Sequence, residues 1–242
     1  MIRNEIDLLA DRDLELMRLH VEALFVHDES CRLVRVNVPE FIEAPRFFLG
    51  RMAAGVLVRF SAGLPDEIAA HLSELSETEA CSLADKDPVH AMKYLEILAT
   101  HSPVKGVWNE QAFAFPDALE PAVASEVMQI TQDNADLLRG GLDDWLPDIP
   151  TVQPFVAVVQ NGRAVSLCAS VRITPHAHEC GIETVPDLRG RGLAAQAAAV
   201  WAVEVRKIGA TPLYSTLWDN IASQRVAAKL GCRRFGSDFY VA

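Results

Sequence analysis

The stretch PFVAVVQNGRAVSLCASVRI, residues 154–173, restricts the fold of this chain more than any other. Two apolar runs are separated by the dipeptide Asn161-Gly162. Both residues accept the positive φ that the central positions of a type I′ turn require. The runs are therefore predicted to fold back on each other as an antiparallel hairpin. The flanking segments extend the pattern. SEVMQIT (125–131) reads as a strand and QDNADLLRGGLDDWLPDI (132–149) as a helix interrupted by Gly-Gly. After the turn PHAH come a strand, ECGIETV, an alanine-rich helix, a strand, TPLYSTL, a helix, NIASQRVAAKLG, and a last strand, RRFGSDFYV. The order β-α-β-β-β-α-β-α-β predicts a mixed α/β sheet flanked by helices.

The first half is less regular. Residues 1–20 carry Ile2, Ile6, Leu9, Leu14 and Met17 at roughly helical spacing. Short strands are predicted at 32–37, 46–51 and 55–61. Helices are predicted behind Pro65-Asp66-Glu67 and behind Asp87-Pro88. GVWNEQAFAFPDALEP (106–121) loses periodicity and holds two prolines, which places a domain junction near 115–122. The expectation is a smaller α+β domain over 1–120 and a second domain over 121–242.

A net charge of −11 argues against a general nucleic-acid binder, which needs a basic surface. The charge is uneven, however. Residues 151–242 hold ten Lys/Arg against six Asp/Glu, whereas the other 150 hold twelve against twenty-seven. The C-terminal part suits a small polyanionic ligand. Five cysteines share no metal-type spacing, so no metal is expected and a reducing cytoplasm fits them. There is no run of 18 apolar residues and the charged amphipathic start has no apolar signal core, so no membrane partner is expected.

The chemistry concentrates in GIETVPDLRGRGLAAQ. Pro186 has no N–H to donate and ends the strand. Gly190 and Gly192 let backbone approach a ligand closely. The helix behind them offers unpaired N–H groups and the positive end of its dipole, a seat for phosphate flanked by Arg189 and Arg191. A P-loop is excluded, because no lysine and hydroxyl follow the glycines. The dinucleotide pattern G-x-G-x-x-A is met by Gly190, Gly192 and Ala195. Yet Asp219 comes too late for its acidic residue, and about fifty residues are too few for the rest of a doubly wound sheet, which leaves it a minor alternative.

Arg189-Gly190-Arg191-Gly192-Leu193-Ala194 resembles the [Q/R]-x-x-G-x-[G/A] signature of the general N-acetyltransferase (GNAT) superfamily. DNIASQRVAAKLG is similar to that family's second block, with Asn220, Ala222, Ser223, Lys229 and Gly231 in place, although Cys232 replaces the usual phenylalanine. The resemblance covers roughly 122–242 and suggests a bacterial subgroup with an extra N-terminal domain. It implies a mostly antiparallel sheet in which two parallel strands splay into a V that takes acetyl-CoA. Backbone N–H groups of Arg189, Gly190, Arg191, Gly192, Leu193 and Ala194 would then hold the pyrophosphate. Thr184 and Val185 would pair with the pantetheine arm, and Asn220 and Ser223 would contact the cofactor from the other side.

Acetyl transfer from acetyl-CoA to an amine also needs a base. In the resembled family the base often sits on the strand before the motif, and eleven residues before Arg189 stands His178. Glu179 and Glu183 on the same strand are the alternatives. The family's acidic tyrosine falls on Ala227, so Tyr214 is the remaining, weaker candidate acid. Trp218 is a candidate wall of the acceptor pocket. The N-terminal domain would shape the acceptor side or make a homodimer contact. The alternative function is a GNAT-fold module that binds acyl-CoA as a sensor without turnover.

Overall fold

The computed structural model describes residues 5–119 and 126–242. The first four residues of the expected 1–20 helix lie outside them, as do residues 120–125 of the expected junction and of the 125–131 strand. The elements, in chain order, are α1 (Glu5–Leu24), β1 (Phe25–His27), β2 (Leu33–Val36), β3 (Phe47–Met52), β4 (Gly55–Phe60), α2 (Asp66–Ser76), α3 (Ala91–Ala99) and β5 (Val107–Ala114). They continue with β6 (Val127–Gln129), β7 (Phe155–Gln160), β8 (Arg163–Ile173), β9 (Ala177–Thr184), α4 (Leu193–Lys207), β10 (Thr211–Leu217), α5 (Ile221–Lys229) and β11 (Arg233–Val241).

The chain forms two compact units. The first contains residues up to Phe113, together with Ser215–Asn220 and Arg234–Ala242. Its strands run in the order β4-β3-β11-β5, and β1 and β2 form a separate antiparallel pair. Phe47, Leu49 and Phe239 meet Leu72, Tyr94 and Leu98 from α2 and α3 in one apolar core. β5 corrects the sequence reading of 106–121, which had no strand there. Its last four side chains are all buried, so the polar/apolar alternation that marks a half-exposed strand is missing.

The second unit holds Ala114–Tyr214 and Ile221–Arg233. Its strand order is β10-β9-β8-β7-β6. The hairpin forms as expected: Gln160 faces Arg163, and Asn161 and Gly162 take φ of 52° and 75°. β6 and β8 flank β7, and β9 continues beside β8, all antiparallel. α4 lies on β7, β8 and β9. Alanines 195, 197, 198, 199 and 202 and Trp201 are buried on it, and side chains this small let the helix sit close to the strands. The expected 132–149 helix is corrected to two 3-10 turns, Gln132–Leu138 and Asp143–Trp145. The first bends at Asn134, whose side chain accepts from the Thr131 N–H, and Gly140-Gly141 separates the two.

β9 and β10 are the parallel pair. Their register covers Ala177–Glu179 against Thr211–Leu213, while β9 runs on to Thr184 and β10 to Leu217. The mixed, mostly antiparallel α/β fold with a splayed parallel pair is therefore present.

Candidate functional site

Past its last residue paired with β10, β9 leads through Val185 and a 3-10 turn (Pro186–Leu188) into α4. Val185 is buried and donates its N–H to Val165 O at 3.0 Å. The Thr184 hydroxyl bonds Ser166 Oγ at 2.7 Å, and its carbonyl accepts from Arg189 Nε at 3.1 Å. These bonds fix the strand end and turn the exposed Arg189 toward it. Arg191 is also exposed and reaches the Asp187 carbonyl at 3.4 Å.

Gly192 is the N-cap of α4, at φ 83°. A glycine cap has no side chain to close the first turn, so the amides of Leu193 and Ala194 face outward without a helical partner. A Cβ at Gly192 would overlap Lys229 Nζ, which lies directly against this glycine from the last turn of α5. Three cations, Arg189, Arg191 and Lys229, thus gather at the positive end of a helix dipole. Among the described residues none is paired with a carboxylate. Cations at a helix N-terminus are electrostatically unfavourable on their own and favourable around an anion. Gly190 takes φ 76°, and the space a Cβ would enter there is open. The turn fits a pyrophosphate. Lys229 was matched by sequence only as part of a family block, because nothing in the chain pattern tells that its ammonium returns to Gly192.

The base candidates lie on opposite faces of β9, as alternation requires. His178 is buried, on the face covered by α4. Its Nδ1 is 2.9 Å from Ser170 Oγ, which accepts the Trp201 indole N–H at 3.0 Å. The same hydroxyl lies 3.5 Å from the Pro154 carbonyl, to which it can donate, so the imidazole tautomer sets the direction of the Ser170–His178 bond. Burial lowers the His178 pKa and holds the ring neutral. Glu179 is buried at the end of the paired segment. Glu183 lies on the run of β9 that pairs with β8 but no longer with β10, half-buried, and accepts the Trp145 indole N–H at 2.6 Å.

Tyr214 is buried, with its hydroxyl against Ser223 Oγ and 3.4 Å from the Ser223 carbonyl. Burial raises its pKa above the usual phenol range. Ser223 is in the first turn of α5, and Ala227, at the position of the family's tyrosine, is fully buried. Asn220 is exposed in the turn before α5, its N–H donated to Leu217 O at 3.0 Å.

A family model described as GNAT acetyltransferase matches residues 156–236. Among solved structures, a GNAT-family protein from Novosphingobium aromaticivorans DSM 12444 is similar at 18% identity and TM-score 0.44 over 57% of this chain. This chain spans 65% of that protein's length. An acetyltransferase from the GNAT family of Colwellia psychrerythraea is similar at 12% identity and TM-score 0.46, covering 76% of each chain. A GCN5-related N-acetyltransferase from Kribbella flavida shares 21% identity at TM-score 0.43, covering 60% of this chain and 62% of that one. No curated protein sequence matches the chain. The matched segment, from the β7 hairpin to β11, is similar to the GNAT acetyltransferase family over about a third of the chain.

Proposed function

We propose that the protein is an acyl-CoA-dependent N-acetyltransferase that moves an acetyl group from acetyl-CoA to a primary amine by direct attack. The observation that carries this reading is the uncapped α4 N-terminus, ringed by Arg189, Arg191 and Lys229 and matched within a GNAT family segment. The backbone of Arg189–Ala194 would hold the pyrophosphate, with Thr184 and Val185 beside the pantetheine arm and Asn220 and Ser223 as its further contacts. Acetyl-CoA supplies the activated thioester. The unit that holds the α4 turn then serves the donor, and the unit that holds the N-terminal residues serves the acceptor. Free thiols at all five cysteines suit a reducing cytoplasm. Among the described residues no helix is long and apolar enough to cross a membrane.

For the base we favour Glu183. It lies past the end of β9's pairing with β10, and Trp145 fixes its carboxylate, leaving further lone pairs to accept a proton from the amine or a bridging water. His178 is buried beneath α4 with Nδ1 bonded to Ser170 Oγ, and Glu179 sits in the buried part of the strand that pairs with β10. Tyr214 is a poor acid, since burial strengthens its hold on its proton. Departure of the thiolate is then unassisted from this residue. That feature, with Ala227 in place of a tyrosine, favours the second reading, a binding module without turnover. Measuring thiol release from acetyl-CoA across an amine panel decides between them. Release with any amine supports the enzyme, and tight CoA binding with none across the panel supports the sensor.

A further inference from the structure

In the first unit, the buried or half-buried arginines of β3 and β11 are satisfied in different ways. Arg51, on β3, is almost fully buried, yet its guanidinium donates to the carbonyls of Asp85, Lys86 and Asp87 at 2.7–3.1 Å. Glu79, Asp85, Asp87 and Asp238 also offset its burial electrostatically. Arg234, near the start of β11, has none of this. Its guanidinium lies 5.4 Å over the Trp218 ring, and one nitrogen donates to Gln111 Oε1 at 3.2 Å. Both partners are neutral. Burial lowers its pKa, and no acidic neighbour opposes that. Among the described residues no carboxylate pairs with it.

The acids that stand near in sequence are already committed. Asp238, four residues on in β11, binds His20 at 2.7 Å and the Glu110 N–H at 3.1 Å. Asp219, next to Trp218, pairs with Lys86 at 2.9 Å. A guanidinium presents five donors in a planar fork, and here an aromatic face and an amide hold that plane in place. Partly desolvated and without a counter-charge, it is arranged for a bidentate anion of carboxylate geometry.

We infer that Arg234, backed by Trp218 and Gln111, binds a carboxylate, and that the acetyl acceptor is an amine bearing one, such as a free amino acid. The first half of this statement stands on unit-one geometry alone. The second rests on the acetyl-transfer reading above.

The test compares acetylation of the twenty free amino acids with acetylation of their carboxamides, by the full-length protein. At least one free acid should have a KM about 10- to 100-fold below that of its amide, the range of a charge-assisted hydrogen bond. R234Q should raise the KM of the acid to that of the amide and leave the amide unchanged, and R234K should recover part of the difference. Q111E puts a carboxylate of nearly the same shape into the fork. It should remove the preference while thermal unfolding stays at or above that of the wild type, which separates ligand loss from misfolding. Equal or better use of the amides, or a KM that rises alike for acid and amide in R234Q, overturns the inference. CoA titration in parallel keeps the two readings apart. If CoA binds and no free acid is turned over, the carboxylate inference falls and the donor reading stands. If CoA does not bind, the donor reading falls, and calorimetry of the same amino acids against wild type and R234Q decides the carboxylate site.

Discussion

The turn at the start of α4 and the cluster around Arg234 are both positive sites, but they are built from different materials. The first is six consecutive residues whose backbone does the work: two glycines at positive φ, a bare helix end, and cations arranged around it. The second joins residues 111, 218 and 234, far apart in the chain, and works only through side chains. A backbone site is written locally, so a short motif reveals it. A side-chain site of this kind exists only after the strands have been brought together.

If donor and acceptor binding are divided in this way, neither region carries the proton transfer, and Glu183 becomes the sharpest place to intervene. Glu183→Gln is expected to lower kcat about 10²- to 10⁴-fold, the usual contribution of a positioned base, with CoA affinity nearly unchanged. The same measurement on Glu179→Gln and His178→Gln checks the assignment. A loss of that size in either of those, and not in E183Q, moves the base.

Gly192→Val comes next. It places a β-branched residue at φ 83°, where Lys229 Nζ already lies. CoA affinity should fall on the order of 100-fold, and backbone strain should cost about 1–3 kcal/mol of stability. Titration calorimetry and urea unfolding read the two effects. Acetyl-CoA bound normally by this variant would break the view that the turn works through close backbone approach.

The smallest effect concerns His178. Its folded pKa lies below the unfolded reference, so below a pH of roughly 6.5 the unfolded chain takes up a proton first. Stability is therefore fully present above that pH. It declines as pH falls, by at most about 1.4 kcal/mol per pH unit, until the buried ring also protonates. His178→Gln should flatten this slope in urea unfolding between pH 7.5 and 5.5. A slope unchanged by the substitution would contradict a buried, neutral imidazole.

Much of the fold was legible where the signal is local. Asn161-Gly162 specified the hairpin, Pro186 ended the strand phase, and the alanine run marked the helix that packs against β7, β8 and β9. What failed depended on tertiary context. β5 was hidden because burial along its last four residues erases the alternation. The 132–149 region has helical composition, but Gly140-Gly141 and the bend at Asn134 split it into 3-10 turns. At the candidate site, the Trp145–Glu183 bond joins residues 38 apart, and Lys229 reaches Gly192 from another helix. Neither approach leaves a trace in a short window.

The central claim is that the α4 turn is a coenzyme A pyrophosphate seat. Calorimetric titration of CoA into the wild type and into a combined Arg189→Gln, Arg191→Gln, Lys229→Gln variant tests it most directly. The triple variant should bind CoA at least about 100-fold more weakly, since several charge-assisted contacts are lost together, and should lose most of the salt dependence. Pantetheine, which has no pyrophosphate, should bind both proteins alike. Unchanged CoA affinity in the triple variant, or a wild type that binds NAD or ATP and not CoA, would contradict it.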